Sequence, residues 1–174
     1  RSRNTASVRI GDYAKIQNVS ETARKVGFSQ KIPQTPATYL GAFEATPQQV
    51  AQAYSVFPNG GVIYRPFIIA RITDADGNEV YPGSGSMPYQ AAKTGSAWSV
   101  SNTLQEVTSR GTAASLRSRY GFEAPCGGKT GTTDNYRDAW FAGYTSSLTC
   151  AVWVGMDNNQ RTIHRGYGST LALP

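Results

Sequence analysis

Hydrophobic and polar positions near the C-terminal end of the chain form three short runs that predict β-strands. The runs span residues 127–133, 138–144 and 148–155, and a loop is expected after them at 157–159. Only a few residues join one run to the next, and connections this short link antiparallel neighbours. The pattern therefore predicts a three-stranded antiparallel sheet.

Helical patterns occupy several segments of the chain before this sheet. Ser20 is expected to cap one helix, which Gly27 would end. Thr46 is expected to cap another, with Pro47 in its first turn. The predicted helices span residues 5–15, 20–27, 47–57, 89–108 and 113–119.

The middle of the chain predicts a small β-hairpin between the helices. Residues 62–64 and 67–73 are strand-like, and the turn at 74–77 leads into a further strand at 79–81. Residues 62–81 could therefore form a small lobe on the main body. Helices packed with an antiparallel sheet place the chain in the α+β class.

Composition narrows the classes of partner. The 174 residues fit one domain, 39% of them are hydrophobic, and the 16% that are charged argue against disorder. The formal charge of +6 favours anionic partners. However, the 17 lysines and arginines form no basic run, and no nucleic-acid-binding motif is present. The positive charge fits a basic face beside an anionic polymer or an acidic lipid surface as well as it fits nucleic acid. We expect no nucleic-acid partner.

The few cysteines and histidines argue against a metal site. Two cysteines and one histidine cannot form a closed zinc site, and we expect neither metal nor cofactor. Cys126 and Cys150 lie at the first and third predicted strands, so the middle strand should keep them from forming a disulfide. His164 is expected to be a surface or loop residue. No apolar stretch reaches the ~20 residues of a membrane span.

The strongest candidate for chemistry is the stretch from Lys129 to Thr133, whose sequence is K-T-G-T-T. An ammonium group and three hydroxyls suit an acidic substrate group, and Gly131 lets a ligand or backbone approach closely. Strand alternation puts Lys129, Gly131 and Thr133 on one face, and Thr130 and Thr132 on the other. A strand at a sheet edge could also accept an extended peptide as a further strand.

A second K-T-G occurs at residues 93–95, inside a pattern that is helical. Because it has no strand context, we interpret it as accidental. Ser2-Arg3-Asn4 is the only S-x-N of the chain, and it precedes a predicted helix. Its serine could relay a proton and its asparagine could hold a substrate amide. The alternative is that these residues cap the helix.

These motifs, in this order, resemble the C-terminal portion of the transpeptidase domain of penicillin-binding proteins, most closely the bifunctional class A kind. The resemblance implies the α+β fold of the penicillin-binding protein and serine β-lactamase families. The segments that carry it are residues 2–4, 40–42, 46–54, 59–61, 110–113, 129–133, 138–144, 152–155 and 157–158.

The resemblance implies a peptidoglycan D,D-transpeptidase that works through an acyl-serine intermediate. It implies catalytic roles for Ser2, which would pass a proton to the leaving amine, for Asn4, which would bind the substrate amide, and for Lys129, which would supply positive charge. The implied partners are peptidoglycan stem peptides and β-lactam antibiotics.

The resemblance also assigns substrate binding to the four residues after Lys129. The hydroxyls of Thr130 and Thr132 would hold the terminal carboxylate of the substrate. The backbone N–H of Thr132 would form half of an oxyanion hole. Gly131 would keep the neighbourhood open, and Thr133 completes the stretch.

The chain departs from the family pattern in one respect, because it contains no S-x-x-K, the motif that carries the acylated serine. We therefore expect residues 1–174 to be the C-terminal portion of one transpeptidase domain, with the nucleophile on an upstream segment that acts as its partner. This chain alone would then be inactive. By resemblance, the complete protein would be extracytoplasmic and anchored in the cytoplasmic membrane by an upstream segment.

Other functions are compatible with the same motifs. A D,D-carboxypeptidase and a serine β-lactamase share the acyl-serine chemistry, although the long segment 40–54 and the hairpin favour a transpeptidase. A non-catalytic penicillin-sensing domain is a further alternative, which the intact K-T-G at 129–131 disfavours. A steep salt dependence of DNA binding would instead favour a nucleic-acid binder.

Overall fold

The computed structural model describes residues 2–85, 87–157 and 163–174. Part of the loop expected at 157–159 and of the segment 157–158, namely Asn158 and Asn159, lies outside this range. The helices are α1 (Asn4–Ala14), α2 (Ile16–Lys25), α3 (Pro47–Tyr54), α4 (Thr94–Arg110), α5 (Ser115–Ser118) and α6 (Gly168–Leu171), with single 3₁₀ turns at Pro36–Leu40 and Asp134–Tyr136.

The described strands form three antiparallel sheets. The strands are β1 (Val62–Ile63), β2 (Ile72–Thr73), β3 (Glu79–Tyr81), β4 (Tyr89–Gln90), β5 (Gly127–Thr132), β6 (Asp138–Tyr144) and β7 (Thr149–Gly155). The largest sheet has the order β5-β6-β7, and the two smaller ones pair β1 with β4 and β2 with β3. The predicted α+β architecture and the three-stranded sheet are therefore confirmed.

The core of the molecule lies where the sheet meets the helices that follow and precede it. Phe141 and Ala139, both from β6, pack with Ala113 and with Ala172 and Leu173 near the C-terminus, and all five are buried. On β5, a Cβ at Gly128 would lie 2.9 Å from the ring of Phe141, so only glycine leaves room for this ring. Burial of apolar surface here holds β5 and β6 in register.

Buried hydroxyl groups attach α4 to the sheet. The Ser101 hydroxyl and the Tyr144 hydroxyl are 2.7 Å apart. Seven residues further along the same helix, the Thr108 hydroxyl donates to the carbonyl oxygen of Cys126 at 2.7 Å. Because buried polar groups need partners, these bonds fix where α4 lies along β5 and β6.

Local helix signals were partly right. Thr46 and Gln49 form the two reciprocal bonds of a capping box at the start of α3, as the Thr46 prediction required. Gly27 follows the end of α2 with a φ of 116°, which confirms it as the stop signal. The prediction that Ser20 caps α2 was wrong, because α2 begins at Ile16 and Ser20 lies within it. Ser20 is 2% exposed and its hydroxyl accepts from the Gln34 amide at 2.8 Å.

Two predicted boundaries also need correction. The helix expected from residue 89 begins only at Thr94, because Tyr89 and Gln90 pair with β1. The N–H groups of Ala91 and Ala92 then donate to the carbonyl of Gly61, which keeps this segment extended. The strand expected at 67–73 is confined to β2. The hairpin turn before β3 is confirmed.

No helix in the described ranges is long and apolar enough to cross a bilayer.

Both cysteines are expected to react with a thiol reagent when the protein is unfolded without a reductant. Cys126 precedes β5 and Cys150 lies on β7, so β6 runs between them, and both are free in the structure. A thiol count of two per chain after denaturation without reductant checks this. A count of zero would contradict the strand order.

Candidate active site

The candidate site lies along β5, which is an edge strand within the described sheet. The ammonium group of Lys129 on β5 is 3.4 Å from the Ser2 hydroxyl, although the two residues are 127 positions apart in sequence. The same ammonium donates to the carbonyl oxygen of Thr130 at 2.7 Å. The fold therefore brings together two of the three residues with predicted catalytic roles.

Burial affects the protonation of the Lys129 amine. Lys129 is half-buried, and desolvation lowers its pKa below the ordinary value for lysine. Its amine therefore loses its proton at a lower pH than the amine of a solvated lysine does. A partly desolvated ammonium also interacts more strongly with a nearby anion than one in water.

The start of α1 distinguishes between the two interpretations of Ser2-Arg3-Asn4. The N-cap residue is Arg3, and within the described part of the chain no side chain caps this end. The helix-cap alternative was therefore wrong. Asn4 is exposed as the first residue of α1, in a surface cleft of about 560 Å³ that it shares with Arg3 and Arg9.

The backbone pattern of β5 determines which of its groups face the free edge. The N–H of Thr133 donates to the carbonyl of Asp138, so these two residues form a hydrogen-bonded pair. Hydrogen-bonded and non-hydrogen-bonded pairs alternate along an antiparallel ladder. The next pair, Thr132 with Ala139, is therefore not hydrogen-bonded. The N–H of Thr132 consequently points away from β6, toward the open edge.

The side chains of β5 alternate between the faces as predicted. Thr130 and Thr132 lie opposite Phe141 and Ala139, on the face that packs against the core. The hydroxyl of Thr130 donates to the hydroxyl of Thr112 at 3.0 Å. The N–H of Gly168, where α6 begins, donates to the hydroxyl of Thr132 at 3.0 Å. Thr130 is therefore bonded to the turn between α4 and α5, and Thr132 is bonded to the start of α6.

The remaining two residues of the stretch have structural surroundings. Gly131 pairs with Trp140, and a Cβ on Gly131 would lie 3.2 Å from the Cβ of that tryptophan. The Thr133 hydroxyl donates to a carboxylate oxygen of Asp138 at 2.9 Å and accepts from the N–H of Asp138 at 2.8 Å. The hydroxyl of Thr133 is thus engaged in closing the turn between β5 and β6.

The other candidate groups lie elsewhere. Lys93 of the second K-T-G is exposed at the start of α4, where Thr94 and Gly95 form the first turn. His164 is exposed. Among the described residues, no three His, Cys, Asp or Glu side chains are grouped as metal ligands are.

Thr112 and Gly168 contact the site, although no motif of the sequence predicted that they would. Thr112 stands in one of the segments that carry the family resemblance, at 110–113, which was the only signal for it. Nothing in the local sequence indicates that either residue would contact β5.

Comparison with known proteins agrees with this fold. The profile of the penicillin-binding protein transpeptidase domain matches residues 1–173. Penicillin-binding protein 1A of Neisseria meningitidis serogroup A is 35% identical over 182 residues, which cover 99% of this chain and 22% of that protein. The chain therefore spans less than a quarter of the length of this curated relative.

Solved structures extend the comparison to three dimensions. The crystal structure of penicillin-binding protein 1A from Haemophilus influenzae superposes with a TM-score of 0.88 at 25% identity, over 97% of this chain and 31% of that one. Penicillin-binding protein A of M. tuberculosis, in its imipenem acyl-enzyme complex, has the same fold, with a TM-score of 0.71 at 17% identity over 98% of this chain and 43% of that one. Since the family profile spans the chain almost from end to end, this chain belongs to the penicillin-binding protein transpeptidase domain family.

Proposed function

We propose that this chain is the C-terminal portion of a peptidoglycan D,D-transpeptidase domain whose acylated serine lies on an upstream segment of the complete protein. The observation that carries the proposal is the contact between Lys129 and Ser2 beside the open edge of β5. A relative with the same fold forms an acyl-enzyme with imipenem, which supports acyl-serine chemistry at this edge. The absence of S-x-x-K from residues 1–174 is the reason for assigning the serine to another segment.

The proposed reaction uses the edge of β5 to bind the stem peptide as an additional strand. The upstream serine attacks the carbonyl carbon between the two terminal D-alanines, and its proton is removed by its own lysine base. The N–H of Thr132, which points to the open edge, donates to the oxyanion that develops. The C–N bond then breaks, and the leaving D-alanine amine takes a proton through Ser2.

The acidic end of the substrate meets the positive charge of this edge. Lys129 attracts the terminal carboxylate, and the hydroxyls of Thr130 and Thr132 bind it, while Gly131 leaves the approach open. Asn4 holds the amide of the substrate. In the second half of the reaction, an acceptor amine from another stem peptide attacks the acyl-serine ester and releases the serine.

Exposed apolar side chains support the upstream segment as the partner of this chain. On α1, Ile10 is 69% exposed and Tyr13 is 91% exposed. On the outer strand of the sheet, Val152 is also exposed, and β7 has a free edge within the described sheet. An upstream segment that covers these surfaces would bury them and complete the site. The complete protein would act on the outer side of the cytoplasmic membrane, where its polymeric substrate lies.

The expected result of acylation is one adduct on the complete protein and none on this chain by itself. The physical reason is that covalent catalysis needs a nucleophile beside its base and its oxyanion donors, and these residues supply only part of that set. Intact-mass spectrometry after incubation with benzylpenicillin measures it, and peptide mapping locates the modified serine.

An adduct on a serine of this chain would contradict the assignment of the nucleophile to an upstream segment. No adduct on the complete protein would contradict the function itself. The alternatives with water as acceptor, D,D-carboxypeptidase and β-lactamase, are separated by supplying stem peptide together with an acceptor amine. A cross-linked product supports the transpeptidase, whereas hydrolysis alone supports the alternatives.

A further inference from the structure

The two hydroxyls proposed to bind the substrate carboxylate are each held by a group from outside β5. Thr132 accepts a hydrogen bond from the backbone N–H of Gly168, and Thr130 donates one to the hydroxyl of Thr112. A threonine hydroxyl has one proton to donate and two lone pairs that accept. The partner of each hydroxyl therefore decides which of these remains for a ligand.

The contact at Thr132 leaves its proton free. A backbone N–H can only donate, so Gly168 always occupies a lone pair of the Thr132 oxygen and never competes for its proton. The close approach depends on glycine, because a Cβ at Gly168 would lie 2.3 Å from the carbonyl oxygen of Gly131. The free proton can be donated to a carboxylate that lies at the exposed end of β5.

The contact at Thr130 is different, because its partner is another hydroxyl that can reverse the direction of the bond. In the structure, Thr130 donates to Thr112. Once a carboxylate accepts the Thr130 proton, the Thr112 hydroxyl can rotate and donate to the Thr130 oxygen instead. The result is a chain of donors that runs from Thr112 through Thr130 to the carboxylate, and hydrogen bonds in such chains polarise one another.

The backbone around Thr112 is held firmly enough to position its hydroxyl. The N–H of Ala113 donates to the carbonyl of Val107 at 3.1 Å, and Ala113 is fully buried in the core. On the other side, a Cβ at Gly111 would lie 2.7 Å from the Cα of Val107, so the chain passes directly against α4. The contacts of Gly111 and Ala113 thus hold the backbone of Thr112 in place, and the side chain of Thr112 is half-buried.

We propose that Thr112 is a positioning residue of the carboxylate site, which holds the Thr130 hydroxyl in place and donates to it when the carboxylate binds. This inference rests on the function proposed above, because it specifies how the same edge recognises its acidic substrate. Thr112 acts through Thr130 and does not itself contact the substrate.

The test compares acylation of the complete protein by benzylpenicillin with acylation by its methyl ester, which lacks the carboxylate charge. Thr112→Val keeps the shape of the side chain and removes the hydroxyl. We expect Thr112→Val to slow acylation by benzylpenicillin about tenfold, because one hydrogen bond to the charged carboxylate loses its support. The rate of acylation by the ester should stay within about twofold of the wild-type rate. Thr112→Ser, which keeps the hydroxyl, should restore the wild-type rate.

The control is Thr103→Val, the same substitution at an exposed threonine of α4 whose hydroxyl donates to the carbonyl of Ser99 in the same helix. It should leave both rates unchanged. Thr112→Ala serves as a second hydroxyl deletion without added bulk, in case the valine variant does not fold. A double-mutant cycle with Thr130→Val should show that Thr112→Val has no further effect once Thr130 is removed.

Equal losses with benzylpenicillin and its ester would overturn the inference and indicate that Thr112 only supports the fold. An unchanged rate with benzylpenicillin would overturn it as well. Both results differ from failure of the proposed function, in which the wild-type protein itself would form no acyl-enzyme with benzylpenicillin.

Discussion

Lys129→Ala is expected to slow acylation of the complete protein by benzylpenicillin roughly 100-fold or more, which is the scale of losing one preorganised charged donor at a reacting centre. The ammonium lies 3.4 Å from the Ser2 hydroxyl and beside the open edge of β5. In the proposed reaction, its removal would take positive charge from both proton transfer and carboxylate binding. The second-order rate constant of acylation, followed by intact-mass spectrometry, measures the effect.

Lys93→Ala is the matched control for this prediction, because Lys93 begins the second K-T-G of the chain. Lys93 is exposed at the start of α4, and Thr94 and Gly95 belong to a helix and not to a strand. We expect the rate to stay within about twofold of wild type, as for ordinary surface substitutions. Equal losses in the two variants would show that the strand copy has no special role.

Phe141→Ala is expected to lower the free energy of unfolding by about 3–5 kcal/mol, the usual cost of truncating a buried phenylalanine. Phe141 is 6% exposed. It packs against Ala113, which precedes the sheet in the chain, and against Leu173, which follows it. Its ring also lies against Gly128 of β5. The cavity left by alanine would therefore loosen the strand that carries the candidate site.

The midpoint of denaturant unfolding, with its slope, measures this change in the complete protein. Ile68→Ala provides the control, because Ile68 is 96% exposed on the hairpin lobe. It should change the free energy of unfolding by no more than about 0.5 kcal/mol. A shift for Phe141→Ala as small as the control would contradict the core described here.

Signals that act over a few residues were sufficient for much of the fold. The three strand runs near the C-terminus and their antiparallel order follow from alternation and short connections, and β5, β6 and β7 confirm them. The capping box at Thr46 and the stop at Gly27 depend on bonds and dihedral angles within one turn. Such features are encoded locally, so a single sequence can reveal them.

Predictions failed where a distant segment decided the conformation. Tyr89 and Gln90 have a helical pattern, yet they form β4 because β1 offers its backbone groups. Ser20 resembles a cap, but it is buried inside α2, where Gln34 from the following segment bonds its hydroxyl. In both cases, tertiary contacts outweighed weak local preferences.

The sequence by itself determined the family, through the order of its motifs, and it pointed to Ser2 and Lys129 as residues of one site. Only the tertiary structure decided that these two residues come within 3.4 Å of each other, and that Thr112 and Gly168 contact the threonines of β5. The physical reason is that hydrogen bonds between distant segments depend on how helices pack against a sheet. That packing is set by the summed burial of many side chains, which no short stretch of sequence encodes.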